Sequence, residues 1–199
     1  MKKYQHQFIK FALQTGVLRF GSFTLKSGRV SHYFFNSGLF NSGTSLARLG
    51  QFYAQAIDDL QLDYDMLFGP AYKGITLAST TAIALATHYE LDVPYAFNRK
   101  EIKDHGEGGR LVGAELTGKI LIIDDVISEG TSISEAVEFI QGKNDAYPAG
   151  VIVGLDRQEQ ILDGYSAIQV LEKRYKIPII SIICLNDLLG YLRNDIESS

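Results

Sequence analysis

The stretch LIIDDVISEGTS, residues 121–132, indicates how the chain folds, because it joins an apolar run to a polar loop. Three apolar residues precede the adjacent Asp124 and Asp125, and one glycine and several hydroxyl residues follow. Ligands of a parallel sheet bind beyond the carboxyl ends of its strands. The two carboxylates are therefore expected at the ligand-binding edge of such a sheet.

A helix is predicted to begin near Ser132, whose spacing from Glu135 fits a capping box. Unpaired N–H groups and a partial positive charge at a helix start favour a bound phosphate. Ser128, Gly130 and Thr131 add hydroxyls and allow close backbone approach. The stretch predicts a cradle for a phosphate monoester, with the aspartates placed for sugar hydroxyls or a metal-bound ligand. The alternative is an ordinary strand–loop–helix turn with solvated strand-end carboxylates.

The rest of the chain alternates short Val- and Ile-rich runs with helical patterns, which is typical of βαβ units. Five runs are predicted as strands, at residues 66–68, 93–97, 119–123, 149–155 and 178–184. Helices are predicted at residues 4–14, 44–60, 75–88, 132–141 and 166–175. We therefore predict an α/β fold whose core is a five-stranded parallel sheet flanked by helices.

Two segments do not follow this alternation. Residues 23–35 are predicted to form a hairpin that turns at Ser27 and Gly28. Residues 98–113 contain charges of both signs and four glycines without periodicity, so we predict a mobile loop there. No linker or repeat divides the chain, and one domain is expected over residues 1–199.

Composition narrows the class of protein. The chain has 199 residues, of which 46% are hydrophobic and 21% charged, as in ordinary globular proteins. A net charge of −4 argues against general binding to nucleic acid, and one cysteine excludes an internal disulfide. The first residues lack the apolar core of a secretory signal, and no apolar run is long enough to span a bilayer. We expect a cytoplasmic protein with neither a membrane nor a nucleic-acid partner.

The stretch ILIIDDVISEGTSI, residues 120–133, resembles the phosphoribosyl-diphosphate (PRPP) binding motif of type I phosphoribosyltransferases. Other segments resemble the orotate phosphoribosyltransferase family and follow its order: TLKSGRVSHYFFNSG (24–38), FGPAYKGI (68–75), FNRKEIKDHGEGG (97–109) and LDRQE (155–159). The resemblance implies the type I phosphoribosyltransferase fold, with a small N-terminal hood (about residues 1–40) and a mobile lid loop (about residues 99–113).

The resemblance also implies an activity. The ribose 5-phosphate of PRPP would pass to N1 of orotate, giving orotidine 5′-monophosphate and pyrophosphate in pyrimidine (UMP) biosynthesis. The ribose C1–O bond would break with oxocarbenium-like character, without a covalent enzyme intermediate. Mg²⁺ would be required, held mainly by PRPP and pyrophosphate and not directly by the protein. A homodimer is expected, with lid residues shared across the subunits.

Site residues follow from the same resemblance. The catalytic residues would be Lys103, His105, Asp124 and Asp125. PRPP would contact Lys26, Tyr72, Lys73, Arg99, Lys100, Lys103, His105, Asp124, Asp125, Val126, Ile127, Ser128, Glu129, Gly130, Thr131 and Ser132. Orotate would contact Phe34, Phe35, Ser128 and Arg157. The resemblance also implies that the turn GPAYKG, residues 69–74, cradles the pyrophosphate, often with a cis peptide bond.

Individual residue types suit these implied roles. Phe34 and Phe35 are consecutive, so on a strand they point to opposite faces. A guanidinium fork at Arg157 suits the carboxylate of orotate. In the lid, Arg99, Lys103 and His105 would reach the neighbouring subunit's site, whereas Lys100 would act in its own.

The phosphate loop departs from the family pattern at two positions. Ser128 and Glu129 occupy positions where the family usually has threonine and alanine. Since a carboxylate near a phosphate costs affinity by repulsion, we expect the Glu129 side chain to point outward.

Two other functions keep the PRPP motif: a regulator that senses PRPP and binds nucleic acid, and a transferase for a purine or another pyrimidine. The net charge, Phe34–Phe35 and Arg157 favour an enzyme that acts on an anionic pyrimidine.

Overall fold

The computed structural model describes residues 1–24, 30–103, 109–162 and 164–197. The strands are β1 (Leu18–Thr24), β2 (Val30–Phe35), β3 (Met66–Gly69), β4 (Tyr95–Lys103), β5 (Gly109–Gly113), β6 (Gly118–Ile127), β7 (Ala146–Asp156), β8 (Gln160–Leu162), β9 (Tyr165–Ser166) and β10 (Ile179–Cys184). The helices are α1 (Lys3–Gln14), α2 (Gly43–Leu60), α3 (Lys73–Tyr89), α4 (Thr131–Gln141), α5 (Ala167–Tyr175) and α6 (Leu185–Glu197). None of these helices, within the described ranges, is long and apolar enough to cross a bilayer.

The central sheet has the strand order β10-β7-β6-β3-β4-β5. Strands β10, β7, β6, β3 and β4 run parallel, which confirms the predicted five-stranded parallel core. The sixth strand, β5, pairs antiparallel with β4 at the edge.

The segment predicted as a mobile loop, residues 98–113, has strands at both of its ends: residues 98–103 belong to β4 and residues 109–113 form β5. Asn98 lies opposite Leu111 and Lys103 opposite Gly109 in an antiparallel hairpin. Backbone hydrogen bonds make this pairing, so it leaves no apolar periodicity in the sequence, and charged side chains are common on edge strands. Residues 104–108, within the predicted lid, lie outside the described residues.

Helices cover both faces of the sheet and produce two apolar clusters. Leu121 and Ile123 of β6 belong to the cluster that includes residues of α1, α2 and α3. Their neighbours Ile120 and Ile122 belong to the cluster that includes residues of α4 and α5. Alternate side chains of a strand point to opposite faces, so a strand covered on both sides is apolar throughout. This explains the continuous apolar run before the aspartates.

An N-terminal hairpin is formed by β1 and β2, which pair antiparallel from Leu18–Phe35 to Thr24–Val30. Its first strand begins at Leu18, earlier than the predicted start at residue 23. Its predicted turn at Ser27 and Gly28 lies outside the described residues. Phe35 is buried in the core, whereas the Phe34 ring lies 5.5 Å from that of Phe23. The consecutive phenylalanines therefore point to opposite faces of the hairpin, as predicted.

Candidate active site

The acidic pair lies within strand β6. Asp124 is buried, with 6% of its surface exposed, and Asp125 is half-buried. The strand continues past both to Ile127, which lies opposite Asp156 of β7. The predicted strand end at residue 123 was therefore four residues too early, because β7 supplies pairing partners that a local pattern does not show.

Three neighbouring groups hold Asp124. The Tyr53 hydroxyl, from α2, donates a 2.7 Å hydrogen bond to the Asp124 backbone carbonyl. The Asp125 N–H donates to Asp124 Oδ1 at 2.9 Å, and the Ser132 hydroxyl also bonds the carboxylate. Burial, and next the charge of Asp125, raise the pKa of Asp124 from 3.8 to about 6, which the hydrogen bonds partly oppose. Asp124 therefore titrates much closer to neutral pH than an exposed aspartate.

Asp125 lies where three elements meet. Its Oδ2 accepts a hydrogen bond from the Ser37 hydroxyl, which belongs to a 3₁₀ turn directly after β2. The same oxygen contacts Lys73 Nζ at 2.6 Å, at the start of α3. Lys73, which was predicted to bind PRPP, therefore lies in contact with the acidic pair through Asp125.

The loop after the aspartates leads into α4 with Gly130 as the N-cap. The predicted capping box on Ser132 and Glu135 was therefore wrong. Gly130 has φ 79°, and a Cβ there would lie 2.6 Å from Leu171 Cδ1, so glycine permits an earlier helix start. No side chain caps this end of α4, so its first N–H groups can face an anion. The Glu129 side chain at its edge is exposed.

The turn between β3 and α3 forms the opposite wall of the site. The Ala71 N–H donates a 2.9 Å hydrogen bond to Asn98 Oδ1 of β4, and the Ala71–Tyr72 peptide bond is cis. Tyr72 is 66% exposed, and Lys100 Nζ lies 5.3 Å from the centre of its ring. Ala71, Asn98, Lys100 and Ser132 line part of a cavity of about 620 Å³. The structure thus places Tyr72, Lys73, Lys100 and the phosphate loop at one edge of the sheet.

Arg157 faces a second cavity, of about 650 Å³, beside the N-terminal hairpin. Its Nε donates to Glu159 Oε1 at 2.7 Å, and its guanidinium carbon lies 4.9 Å from the centre of the Tyr33 ring. Tyr33 and Glu159 also line this cavity. Neither Phe34 nor Phe35 is among the residues that line this cavity. A base bound in it would therefore not stack inside the cavity on either phenylalanine ring.

Not every predicted site residue can be placed. Lys26 and His105 lie outside the described residues, and so does the side chain of Lys103, whose backbone ends β4. Arg99 lies beside Lys100 in that strand. Within the described ranges, no group of three or more His, Cys, Asp and Glu side chains could hold a metal ion.

The sequence interpretation missed Ser37, Tyr53 and Tyr33 as site residues. Tyr53 lies in the segment 44–60, which was predicted only as a helix. The hydroxyls of Tyr53 and Ser37 both bond residues that are far from them in the sequence. Tyr33 could have been found from the period of its strand, because it shares a face with the buried Ser31 and Phe35.

Both the sequence and the structure are similar to those of known proteins. Residues 37–177 match the family described as phosphoribosyl transferase domain. The chain is 60% identical over 192 residues to the orotate phosphoribosyltransferase of Photobacterium profundum, covering 96% of this chain and 90% of that protein. It is 59% identical over 197 residues to that of Escherichia coli O139:H28, covering 99% of this chain and 92% of that protein.

Among solved structures, the orotate phosphoribosyltransferase of Francisella tularensis superposes with a TM-score of 0.85 at 44% identity. The match covers 94% of this chain and 90% of that one. A Mycobacterium tuberculosis orotate phosphoribosyltransferase, solved in complex with PRPP, shares the fold at a TM-score of 0.68 and 21% identity, over 93% of this chain and 98% of that one.

Proposed function

The chain belongs to the orotate phosphoribosyltransferase family, and from this we propose that PRPP binds at Asp124, Asp125 and the loop that follows them. One observation carries this assignment: the buried Asp124 and half-buried Asp125 lie one short loop before a helix start that no side chain caps. Carboxylates accept hydrogen bonds from ribose hydroxyls, and free N–H groups bind the 5′-phosphate. One chain segment would thus hold both ends of ribose 5-phosphate.

The pyrophosphate of PRPP is assigned to the turn between β3 and α3. Lys73 contacts Asp125, and Lys100 lies against the Tyr72 ring, so two cations border the same edge of the site. As the ribose C1–O bond breaks, negative charge accumulates on the leaving group and positive charge on the ribose. Cations already in place stabilise the first, and the ionised aspartates the second.

Orotate is assigned to the cavity beside the hairpin. The fork of Arg157 suits a carboxylate, and Glu159 and Tyr33 hold the guanidinium at its Nε edge and its face. N1 of orotate would attack ribose C1 from the face opposite the departing pyrophosphate. Ser128 and the backbone at Phe34 and Phe35 remain proposed contacts of the base.

The proposals of a lid and of a homodimer are based on the family resemblance. Lys103 and His105 would assist the departing pyrophosphate. Arg99, Lys103 and His105 would serve the neighbouring subunit of a homodimer, and Lys100 its own. The domain would comprise residues 1–199, with the hood at about residues 1–40, and would act in the cytoplasm.

Mg²⁺ is proposed as the cofactor, held mainly by the oxygens of PRPP and pyrophosphate and not directly by the protein. This agrees with the contacts of Asp125, because Lys73 and Ser37 already contact one of its carboxylate oxygens. When bound, Mg²⁺ would neutralise charge on the pyrophosphate.

The decisive experiment is a spectrophotometric assay of orotate loss with purified protein, PRPP and Mg²⁺. We expect loss of absorbance that needs both PRPP and metal, stops with EDTA and returns with excess Mg²⁺. Adenine, hypoxanthine and uracil serve as control bases and should not replace orotate. Tight PRPP binding without orotate turnover would instead favour a PRPP sensor or another base.

A further inference from the structure

Ser37 touches the acidic pair from outside the PRPP motif. It follows Phe35 and Asn36 directly after strand β2, in the 3₁₀ turn Ser37–Leu39, and its hydroxyl donates to Asp125 Oδ2. The two residues are 88 positions apart in the sequence. The turn after the β1–β2 hairpin, which borders the proposed orotate cavity, is therefore hydrogen-bonded to Asp125, which is proposed to bind the ribose.

The turn holds Ser37 in a fixed place. The Asn36 N–H donates to the Val17 carbonyl at 2.8 Å, and Asn36 Oδ1 accepts from the Gly38 N–H at 3.1 Å. The Phe40 N–H donates to the Ser37 carbonyl at 3.0 Å. Because the backbone on both sides is hydrogen-bonded, the hydroxyl can bond Asp125 with little further loss of backbone entropy.

The surroundings strengthen this contact. Ser37 and Asp125 border a small cavity of about 10 Å³ that is otherwise lined largely by apolar side chains, including Phe35, Phe40 and Leu77. Hydrogen bonds to a charged acceptor are stronger than neutral ones, and more so where water is scarce. A hydroxyl in this position can fix the orientation of the carboxylate.

Lys73 is the other partner of the same carboxylate oxygen. If Lys73 binds the pyrophosphate, its contact with Asp125 must weaken when PRPP arrives. We propose that Ser37 is a positioning residue, which keeps Asp125 in its ribose-binding orientation when Lys73 turns to the pyrophosphate. This inference rests on the proposed PRPP site and adds to it a residue from the base-binding hairpin.

The test is steady-state kinetics on Ser37→Ala and Ser37→Thr. We expect Ser37→Ala to raise the KM for PRPP about 3- to 10-fold, the usual effect of losing one hydrogen bond, with the KM for orotate within about twofold. Ser37→Thr keeps the hydroxyl and should restore the KM for PRPP. Ser79→Ala is the matched control, because the Ser79 hydroxyl bonds only the Ile75 carbonyl within α3 among the contacts described.

Two results would overturn the proposal. One is an unchanged KM for PRPP in Ser37→Ala. The other is an equal rise in both KM values with a lower melting temperature and no rescue by threonine, which would indicate a purely structural role. As a second measurement, Ser37→Ala should add no loss of PRPP binding in an Asp125→Ala background, whereas additive losses would contradict an action through Asp125.

The proposed function and this inference fail differently. A wild type that does not bind PRPP, or an Asp125→Ala variant with normal PRPP affinity, would contradict the PRPP site itself. Loss of PRPP affinity in Asp125→Ala with none in Ser37→Ala would leave the PRPP site intact and remove only the role of Ser37.

Discussion

The Tyr53 hydroxyl on helix α2 donates a 2.7 Å hydrogen bond to the backbone carbonyl of Asp124 on strand β6. Tyr53 is 1% exposed, and burial, followed by the charges of Asp125 and Asp124, raises its pKa well above 10.0. The hydroxyl therefore keeps its proton and remains a donor at any physiological pH. The fully buried ring anchors the backbone between the two carboxylates.

We expect Tyr53→Phe to lower the free energy of unfolding by about 1–2 kcal/mol, because a carbonyl in the core loses a hydrogen bond. It should also weaken PRPP binding, since the acidic pair loses its anchor. Urea denaturation and calorimetric titration with PRPP measure the two effects. Tyr64→Phe is a matched control, because the buried Tyr64 hydroxyl has no hydrogen-bond partner in the described part of the chain. Equal effects of the two substitutions would contradict the role of Tyr53.

Arg157→Ala should raise the KM for orotate far more than the KM for PRPP. Loss of a charge-assisted hydrogen bond costs about 1.5–3 kcal/mol, or roughly 10- to 150-fold in affinity. Arg157→Lys should recover only part of this loss, because lysine lacks the planar fork. Arg174→Ala is the control variant. It breaks the exposed salt bridge between Arg174 and Glu138 and should leave both KM values unchanged.

Lys103→Ala should lower kcat about 100- to 1000-fold, the usual effect of removing one donor that stabilises transition-state charge. The change in KM for either substrate should be smaller, because the lid would act mainly as the pyrophosphate leaves. The exposed Lys10 on α1 offers a control, and Lys10→Ala should keep the wild-type kcat. A normal kcat in Lys103→Ala would remove this lysine from the chemistry.

The raised pKa of Asp124 predicts a pH-dependent cost to stability. Between about pH 4 and pH 6 the folded protein holds a proton on Asp124 that the unfolded chain has released, so this residue's contribution to stability falls as pH rises. Asp124→Asn removes the titration. Its free energy of unfolding, relative to wild type, should therefore rise by up to about 3 kcal/mol between pH 4 and pH 7. Urea denaturation at several pH values measures this difference, and a constant difference would mean that Asp124 titrates normally.

Glu129→Gln tests the unusual carboxylate in the phosphate loop. If the exposed side chain points away from the bound phosphate, removing its charge should change the KM for PRPP by less than about twofold at 0.15 M salt. A much lower KM for PRPP in the variant would show that Glu129 repels the phosphate, contrary to the outward orientation predicted from the sequence.

The sequence by itself determined the parallel sheet and the position of the acidic pair. A strand covered on both faces must be apolar throughout, and βαβ units place strand ends together, so the run before Asp124 predicted both features. The local sequence pattern did not predict strands whose pairing is made by backbone hydrogen bonds alone. The hairpin of β4 and β5 and the continuation of β6 to Ile127 left no periodic signal for this reason.

Only the tertiary structure decided which hydroxyls and charges meet at the pair. Tyr53 and Ser37 come from elements 71 and 88 residues away in the chain, and nothing in their local sequence specifies a partner. The need for glycine at the N-cap of α4 also comes from tertiary structure, because a Cβ at Gly130 would lie 2.6 Å from Leu171 Cδ1 of another helix. Periodicity reports which face of an element is buried, whereas the contacts of a single polar atom are fixed by how the elements pack against one another.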